Sequence, residues 1–206
     1  KIAIKTKLLG IHLVYAQLFA FALADKLGVP SLKISAALET LQPVPGRMNM
    51  IPGLNDTIII DDTYNAASPA SVKAALDFLE AVPHSGRKIF ILGNMNELGL
   101  FDQEIHKEIA RYAKGKSDLA VFAGPNASLM QSIVGNNSLA FPNRSEMDDA
   151  LSTFIKKNDI ILIKASQNKN YFEETVKRLM KNPEKAPELL ARQSKVWMGR
   201  KSKCKY

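Results

Sequence analysis

Two adjacent carboxylates, Asp61 and Asp62, follow an apolar run at residues 58–60, and Tyr64 and Asn65 come directly after them. An ionised carboxylate makes strong hydrogen bonds and can accept them from the hydroxyls of a sugar. Ligands bind outside the carboxyl ends of the strands in open α/β sheets, so this position favours a binding site. The alternative is structural: one carboxylate caps the turn and the other is solvated.

Two further loops carry polar residues after apolar runs of the strand type. Asn94 and Glu97 lie in a glycine-bounded loop after residues 88–92, and Lys164 and Ser166 lie at the end of a later strand. Lys164 and Ser166 can together meet an anion at the same edge of a parallel sheet. Glu97 can instead cap a helix, and the alternative for both segments is an ordinary strand-to-helix loop.

Arg47 follows a breaker cluster that ends in Pro45 and Gly46. A planar guanidinium binds phosphate or carboxylate with two parallel hydrogen bonds. The alternative is a simple surface charge, because no other signal accompanies this arginine.

Several well-known catalytic motifs do not occur in the 206 residues. Gly-x-x-x-x-Gly-Lys-Ser/Thr, Gly-x-Gly-x-x-Gly and Gly-x-Ser-x-Gly are all missing, which excludes a P-loop, a dinucleotide fingerprint and a hydrolase elbow in this segment. The histidines, His12, His84 and His106, are scattered. No His, Asp and Glu cluster has the spacing of metal ligands, so we predict no protein-built metal site.

Composition favours a soluble globular protein of a reducing, cytoplasmic compartment. Hydrophobic residues make up 46% and charged residues 23%, both ordinary values for such proteins. The single cysteine, Cys204, excludes an internal disulfide and a cysteine-based zinc site. The apolar stretch at residues 13–27 is too short and too polar to span a membrane. The chain starts with Lys1 rather than Met, so we expect a fragment or a processed product.

The net charge of +8 belongs to the tail. Of 28 Lys and Arg and 20 Asp and Glu residues, ten and two lie in residues 177–206, which leaves 18 of each sign elsewhere. A neutral body does not support nucleic-acid binding. In the tail, Ala186, Leu189, Leu190, Val196 and Trp197 have helical spacing. We predict one amphipathic helix ending at Gly199, which either touches an anionic surface or is simply solvated with a frayed end.

Alternating strands and helices predict an α/β fold: a Rossmann-like, doubly wound, mostly parallel sheet of five to six strands with helices on both faces. Residues 2–8 predict a further short strand, and two helices follow it before a boundary at the Pro-rich residues 42–46; Ser31 caps the second helix. The sheet strands are predicted at residues 57–60, 88–92, 119–123, 138–141 and 159–164. Their helices are predicted at residues 69–82, 102–113, 126–134, 145–156 and 171–180.

Several of these motifs together resemble the Mur ligase family, most closely its D-alanyl-D-alanine-adding type. Pro45-Gly46-Arg47 resembles the start of the family's C-terminal domain, and residues 10–15 resemble a Gly-x-His-Asn-Val segment before it. Asp-Asp-Thr-Tyr-Asn-Ala at 61–66 is similar to Asp-Asp-Ser-Tyr-Asn-Ala. Leu-Gly-Asn-Met-Asn-Glu-Leu-Gly at 92–99 and Ile-Lys-Ala-Ser at 163–166 are similar to further family motifs.

The resemblance implies three regions: residues 1–44 as the end of a central ATPase domain, 45–182 as the C-terminal domain, and 183–206 as a basic helix and tail. It implies that ATP phosphorylates a UDP-linked muramoyl tripeptide and that the amine of D-Ala-D-Ala attacks the acyl phosphate, with Mg²⁺ bridging phosphates. His12, Arg47 and Asp62 would bind the nucleotide. The cleft for the dipeptide and the acyl phosphate would be lined by Asp61, Tyr64, Asn65, Asn94, Glu97, Lys164 and Ser166.

Some positions depart from the family pattern. Leu13 and Ala16 replace asparagines, Asn94 replaces an aspartate, and Gln167 replaces an arginine. Two alternatives therefore stay open: a non-catalytic binding module with the ligase shape, or a ligase with another amino-acid or peptide acceptor. The P-loop, metal ligands and UDP-sugar domain would precede Lys1, so we assign no catalytic residue and expect an inactive fragment. We also expect a monomer.

Overall fold

The computed structural model describes residues 2–66, 68–167 and 170–203, without the side chain of His12. The chain divides into two compact units, Lys1–Val44 and Pro45–Tyr206. The first unit contains two helices, α1 (Ile11–Lys26) and α2 (Ser31–Glu39). The positive φ of Gly28, 81°, lets the chain leave α1, as glycines at this position commonly do.

Two expectations for the first unit are wrong. The described residues 2–9 form no strand, because a strand needs a partner and the described part of this unit offers none. Ser31 is the first residue of α2 rather than its cap, and Pro30 stands at the cap position. The hydroxyl of Ser31 donates to Asp25 Oδ1 at 3.3 Å instead.

In the described part of the second unit, six strands form one sheet in the order β1-β2-β6-β3-β4-β5. The pairing is parallel except between β1 and β2, which confirms the predicted mostly parallel sheet. The strands are β1 (Asn49–Pro52), β2 (Ile58–Asp62), β3 (Lys88–Gly93), β4 (Leu119–Ala123), β5 (Ser138–Phe141) and β6 (Ile160–Lys164). The pattern missed β1, since this four-residue edge strand contains a proline and has no apolar run.

Seven α-helices of the described chain belong to this unit. They are α3 (Pro69–Ala81), α4 (Asp102–Ala113), α5 (Ala127–Val134), α6 (Arg144–Phe154), α7 (Glu173–Leu179), α8 (Ala186–Leu189) and α9 (Lys195–Lys203). Alternate strand residues such as Ile59, Ile91 and Ile163 share one core cluster with α6, α7 and α8. Their neighbours Ile60 and Phe90 are equally buried, as expected for strands covered on both faces.

The prediction of a single helix in the tail is wrong. The chain becomes extended at Leu190 (φ −107°, ψ 149°), and Arg192 adopts a positive φ of 56°. This break turns Arg192 inward, where its guanidinium pairs with the buried Glu173. Gly199 lies within α9 instead of ending a helix. A frayed end was predicted at residues 200–206, but residues 200–203 belong to α9, and residues 204–206, with Cys204, lie outside the described residues.

The described helices include none with both the length and the apolar character needed to cross a membrane.

Candidate functional site

A turn after β2 packs against the turn that carries Arg47. The amide of Tyr64 donates to the carbonyl of Gly46 at 3.0 Å, and the Arg47 guanidinium lies 4.9 Å from the centre of the Tyr64 ring. Gly46 has a φ of +76°, and a Cβ there would stand 3.0 Å from Tyr64 Cβ. Glycine therefore permits the close approach that brings an exposed arginine beside an aromatic ring at the carboxyl end of β2.

Asp62 and Lys164 form a buried ion pair at the same edge. They are register partners on the parallel strands β2 and β6, and Lys164 Nζ donates to Asp62 Oδ2 at 2.6 Å. The same ammonium donates to the carbonyl of Asn65 at 2.9 Å. Lys164 is 2% exposed, so its charge stabilises the turn at residues 62–65 from within.

Asp61 points into the protein and caps the turn. Its Oδ1 accepts hydrogen bonds from the amide (3.1 Å) and hydroxyl (2.7 Å) of Thr63. Complete burial raises the pKa of Asp61 from 3.8 to about 6, and the nearby charges of Asp62 and Glu173 act in the same direction. The structural alternative for the acid pair, in which one carboxylate caps the turn, therefore applies to Asp61.

The loops after β3 and β6 are hydrogen-bonded to each other. The amide of Asn96 donates to Ser166 Oγ at 2.9 Å, and the amide of Ser166 donates to the carbonyl of Asn94 at 3.2 Å. Ser166 is buried, whereas Glu97 is exposed and has a φ of 67°. The Ser166 hydroxyl thus holds the loop that presents Glu97 at the surface.

His106 supports the same loop from below. Its Nε2 accepts a hydrogen bond from the amide of Met95 at 3.2 Å, and its Nδ1 donates to the carbonyl of Asp102 at 2.8 Å. These partners suit a neutral imidazole with its proton on Nδ1. The sequence analysis assigned this histidine no role.

The structure brings most of the predicted residues to one edge of the sheet. Arg47, Asp62 and Tyr64 stand at the end of β2, and the residues that follow β6 and β3 continue along the same edge, because β6 lies between β2 and β3. His12 belongs to the first unit, and its side chain is outside the described part.

Arg192 and Glu173 are site neighbours that the sequence did not reveal. Arg192 Nη2 donates to the carbonyl of Thr63 at 3.1 Å and to Glu173 Oε2 at 2.6 Å. In the sequence these two charged residues look like ordinary surface residues. Their burial distinguishes them, and burial depends on the tertiary structure.

The described residues contain no group of three or more His, Cys, Asp or Glu side chains that could hold a metal ion. A mostly parallel sheet with polar turns at its carboxyl edge is the arrangement typical of ligand-binding α/β domains of the doubly wound class.

The chain belongs to the Mur ligase family. Residues 46–167 match the domain described as "Mur ligase, glutamate ligase domain". This match confirms the resemblance inferred from the motifs.

Relatives named UDP-N-acetylmuramoyl-tripeptide–D-alanyl-D-alanine ligase match most of the chain. The Bacillus subtilis protein is 28% identical over 186 residues, which cover 85% of this chain and 39% of the relative. The Buchnera aphidicola (Baizongia pistaciae) protein is 32% identical over 188 residues, covering 90% and 40%. The chain therefore spans about two fifths of the length of these relatives.

Solved structures agree with this relationship. MurF from Acinetobacter baumannii superimposes with a TM-score of 0.72 at 26% identity, covering 84% of this chain and 38% of that protein. MurF ligase from Thermotoga maritima in complex with ADP has a TM-score of 0.63 at 28% identity, covering 80% and 37%.

Proposed function

We propose that the chain is the C-terminal part of a cytoplasmic, ATP-dependent and ADP-forming amide ligase of peptidoglycan precursor synthesis. The ligase would join D-Ala-D-Ala to a UDP-N-acetylmuramoyl tripeptide. The names of the relatives support this substrate pair. The observation that carries the proposal for this chain is the meeting of Arg47, Tyr64 and Asp62 at the carboxyl edge of the sheet.

Arg47 and Asp62 would contact the nucleotide. The Arg47 side chain is exposed, carries a positive charge and lies over Tyr64, so it can meet a phosphate or ribose without rearrangement. Asp62 is only 8% exposed and Lys164 holds its Oδ2, so little of the carboxylate is accessible to a ribose hydroxyl. Arg47 is therefore the stronger of the two assignments.

The joined loops after β3 and β6 would form the acceptor cleft. Glu97 presents a carboxylate that can attract the amino end of the dipeptide, whereas Ser166 and Lys164 keep the cleft wall rigid through their internal bonds. In the proposed reaction, the tripeptide carboxylate takes the γ-phosphoryl group of ATP. Attack by the dipeptide amine then forms the amide and releases phosphate. Positioning and charge would supply the contribution of this domain.

The cofactors ATP and Mg²⁺ fit this chain only in part. The described residues offer no cluster of three or more His, Cys, Asp or Glu side chains that could hold a metal ion, and the sequence has no P-loop. Magnesium, when bound, neutralises the charge of the phosphates. This chain would contact the nucleotide through Arg47, and the family resemblance implies His12 as a second contact.

The nucleotide role of Arg47 can be tested in the full-length ligase. Arg47→Ala should raise the KM for ATP by about tenfold, as expected for losing a charged hydrogen bond, with a smaller effect on the KM for the dipeptide. Arg111→Ala, at an exposed arginine in α4, is the matched control. An unchanged KM for ATP in Arg47→Ala would contradict the assignment.

The activity of the 206-residue chain alone is a second test. Without a P-loop it should neither release ADP from ATP nor form the amide when both substrates are present. Measurable ADP release by the purified chain would overturn this expectation.

Two other candidate functions remain, and both rest on Asn94 and Gln167, where the family has an aspartate and an arginine. A non-catalytic module is distinguished by the upstream coding sequence, since Gly-x-x-x-x-Gly-Lys-Thr/Ser there supports the ligase. A ligase with another acceptor is distinguished by screening amino acids and peptides with the full-length protein.

Part of the positive charge that would attract the tail to an anionic surface is paired with carboxylates within the protein. Arg192 pairs with Glu173, and Lys201 pairs with both Glu173 and Glu174 at 2.8 and 2.6 Å. Anionic-liposome binding that survives deletion of residues 183–206 would rule out a role of the tail.

A further inference from the structure

Arg192 lies in the tail, at the point where the tail contacts the turn after β2. Its guanidinium binds both oxygens of Glu173, at 3.0 and 2.6 Å, and Nη2 also donates to the carbonyl of Thr63 at 3.1 Å. The same group lies 5.7 Å from the Tyr64 ring centre and 5.8 Å from that of Tyr171. A planar fork with several donors can make these contacts together, whereas a lysine ammonium cannot.

The surroundings hold Arg192 in this geometry. Glu173 is fully buried and is also bound by Lys201 of α9, at 2.8 Å. Arg192 has a φ of 56°, which is unfavourable for a residue with a side chain, so packing must impose it. Beside it, Ala191 packs close to Gly46, where an added Cβ would stand 3.3 Å from Ala191 Cβ.

Three segments far apart in sequence thus meet at Tyr64. The turn at Gly46 accepts its amide hydrogen, Arg47 lies over its ring, and Arg192 holds the preceding carbonyl and also lies near the ring. Displacing Arg192 should loosen Thr63 and Tyr64 first and, through the ring, the side chain of Arg47.

We propose that Arg192 is a positioning residue: it holds the Thr63–Tyr64 turn so that Tyr64 and Arg47 are preorganised for the nucleotide. The nucleotide part rests on the proposed function, whereas the coupling of Arg192 to Tyr64 does not. Fixing a binding group before the ligand arrives lowers the cost of binding. Arg192 would therefore act on nucleotide affinity without touching the nucleotide.

The coupling is tested in the 206-residue chain by Arg192→Lys, which keeps the charge and loses the fork. Hydrogen exchange of the Tyr64 amide, followed by NMR, should accelerate by about tenfold, as expected when a charged hydrogen bond is lost. The matched control is Arg200→Lys, in the same segment, where the guanidinium lies over Trp197 at 4.8 Å. This control should leave Tyr64 unchanged, and unchanged Trp197 fluorescence in Arg192→Lys would show that α9 stays docked.

The consequence for binding is tested in the full-length ligase with Arg192→Lys, Arg47→Ala and their combination. Arg192→Lys should raise the KM for ATP by about tenfold while kcat changes by less than about twofold. The double variant should have nearly the KM of Arg47→Ala, because Arg192 acts through Arg47. If Arg192→Lys does not fold, as judged by circular dichroism, Arg192→Gln takes its place.

The results of these experiments distinguish the positioning role of Arg192 from the nucleotide role of Arg47. Unchanged exchange at Tyr64 overturns the positioning role, and so do additive effects of the two substitutions on KM. If exchange accelerates but neither Arg192→Lys nor Arg47→Ala changes the KM for ATP, the coupling to Tyr64 stands and the nucleotide role of Arg47 is overturned.

Discussion

Lys164 Nζ donates to Asp62 Oδ2 at 2.6 Å and joins the carboxyl ends of the neighbouring strands β6 and β2. The side chains are 2% and 11% exposed, so the pair is nearly shielded from water. Breaking such a pair leaves an uncompensated buried charge, which is far more costly than losing a surface contact.

Lys164→Met should therefore destabilise the protein by about 3–5 kcal/mol, measured as the free energy of unfolding in urea. The control is Lys73→Met, which removes an exposed pair with Glu108, also at 2.6 Å, and should cost less than about 1 kcal/mol. Removing both charges in Lys164→Met/Asp62→Leu should recover part of the loss. Equal losses for Lys164→Met and Lys73→Met would contradict the burial argument.

Asp61 should make the stability of the protein depend on pH. Burial raises its folded-state pKa from 3.8 to about 6, so the folded protein binds this proton more tightly than the unfolded chain. The resulting stabilisation is present below about pH 4 and is lost as pH rises through 6, a fall of about 3 kcal/mol in unfolding free energy.

Asp61→Asn should remove this fall, because an amide stays neutral and keeps the oxygen that accepts from Thr63. Urea unfolding of both proteins across this pH range measures the difference. Asp149→Asn, at a side chain that is 72% exposed, is the control and should keep the slope of the parent protein. A slope that persists in Asp61→Asn would assign the pH dependence to other groups.

Gly46→Ala should destabilise the protein more than Gly115→Ala. The two glycines have similar φ values, 76° and 82°, so the backbone strain of alanine is similar. Only at Gly46 would the new Cβ meet other atoms, the nearest being Tyr64 Cβ at 3.0 Å, whereas Gly115 faces open space. The difference in unfolding free energy should be about 1–3 kcal/mol, and no difference would rule out tight packing at this turn.

His106→Leu should loosen the loop after β3. It removes the acceptor of the Met95 amide, and an unsatisfied buried donor costs about 1–3 kcal/mol. Hydrogen exchange at Met95 should accelerate accordingly. His106→Gln offers a side-chain acceptor and should show a smaller effect; identical exchange in both variants would contradict the role of the Nε2 acceptor.

Local sequence patterns predicted most strands and helices of the second unit, but they missed β1 and the turn at Leu190. Apolar runs located the parallel strands because both faces of those strands are buried, whereas β1 has a proline and no such run. In the tail, the spacing of apolar residues predicted one helix that continues past Leu190. The chain instead leaves the helix at Leu190 and turns inward, which buries Arg192. A spacing rule cannot anticipate that turn, since its cause is Glu173, which lies in another helix.

Sequence patterns alone identify the family, the alternation of strands and helices, and the polar turns after β2, β3 and β6, because these features depend on neighbouring residues along the chain. The tertiary structure decided how the polar residues of those turns are used. It buried Asp61, paired Asp62 with Lys164 across two strands, and brought Arg192 to the carbonyl of Thr63. Desolvation and pairing depend on which distant segments pack together, and that information is not present in any local pattern.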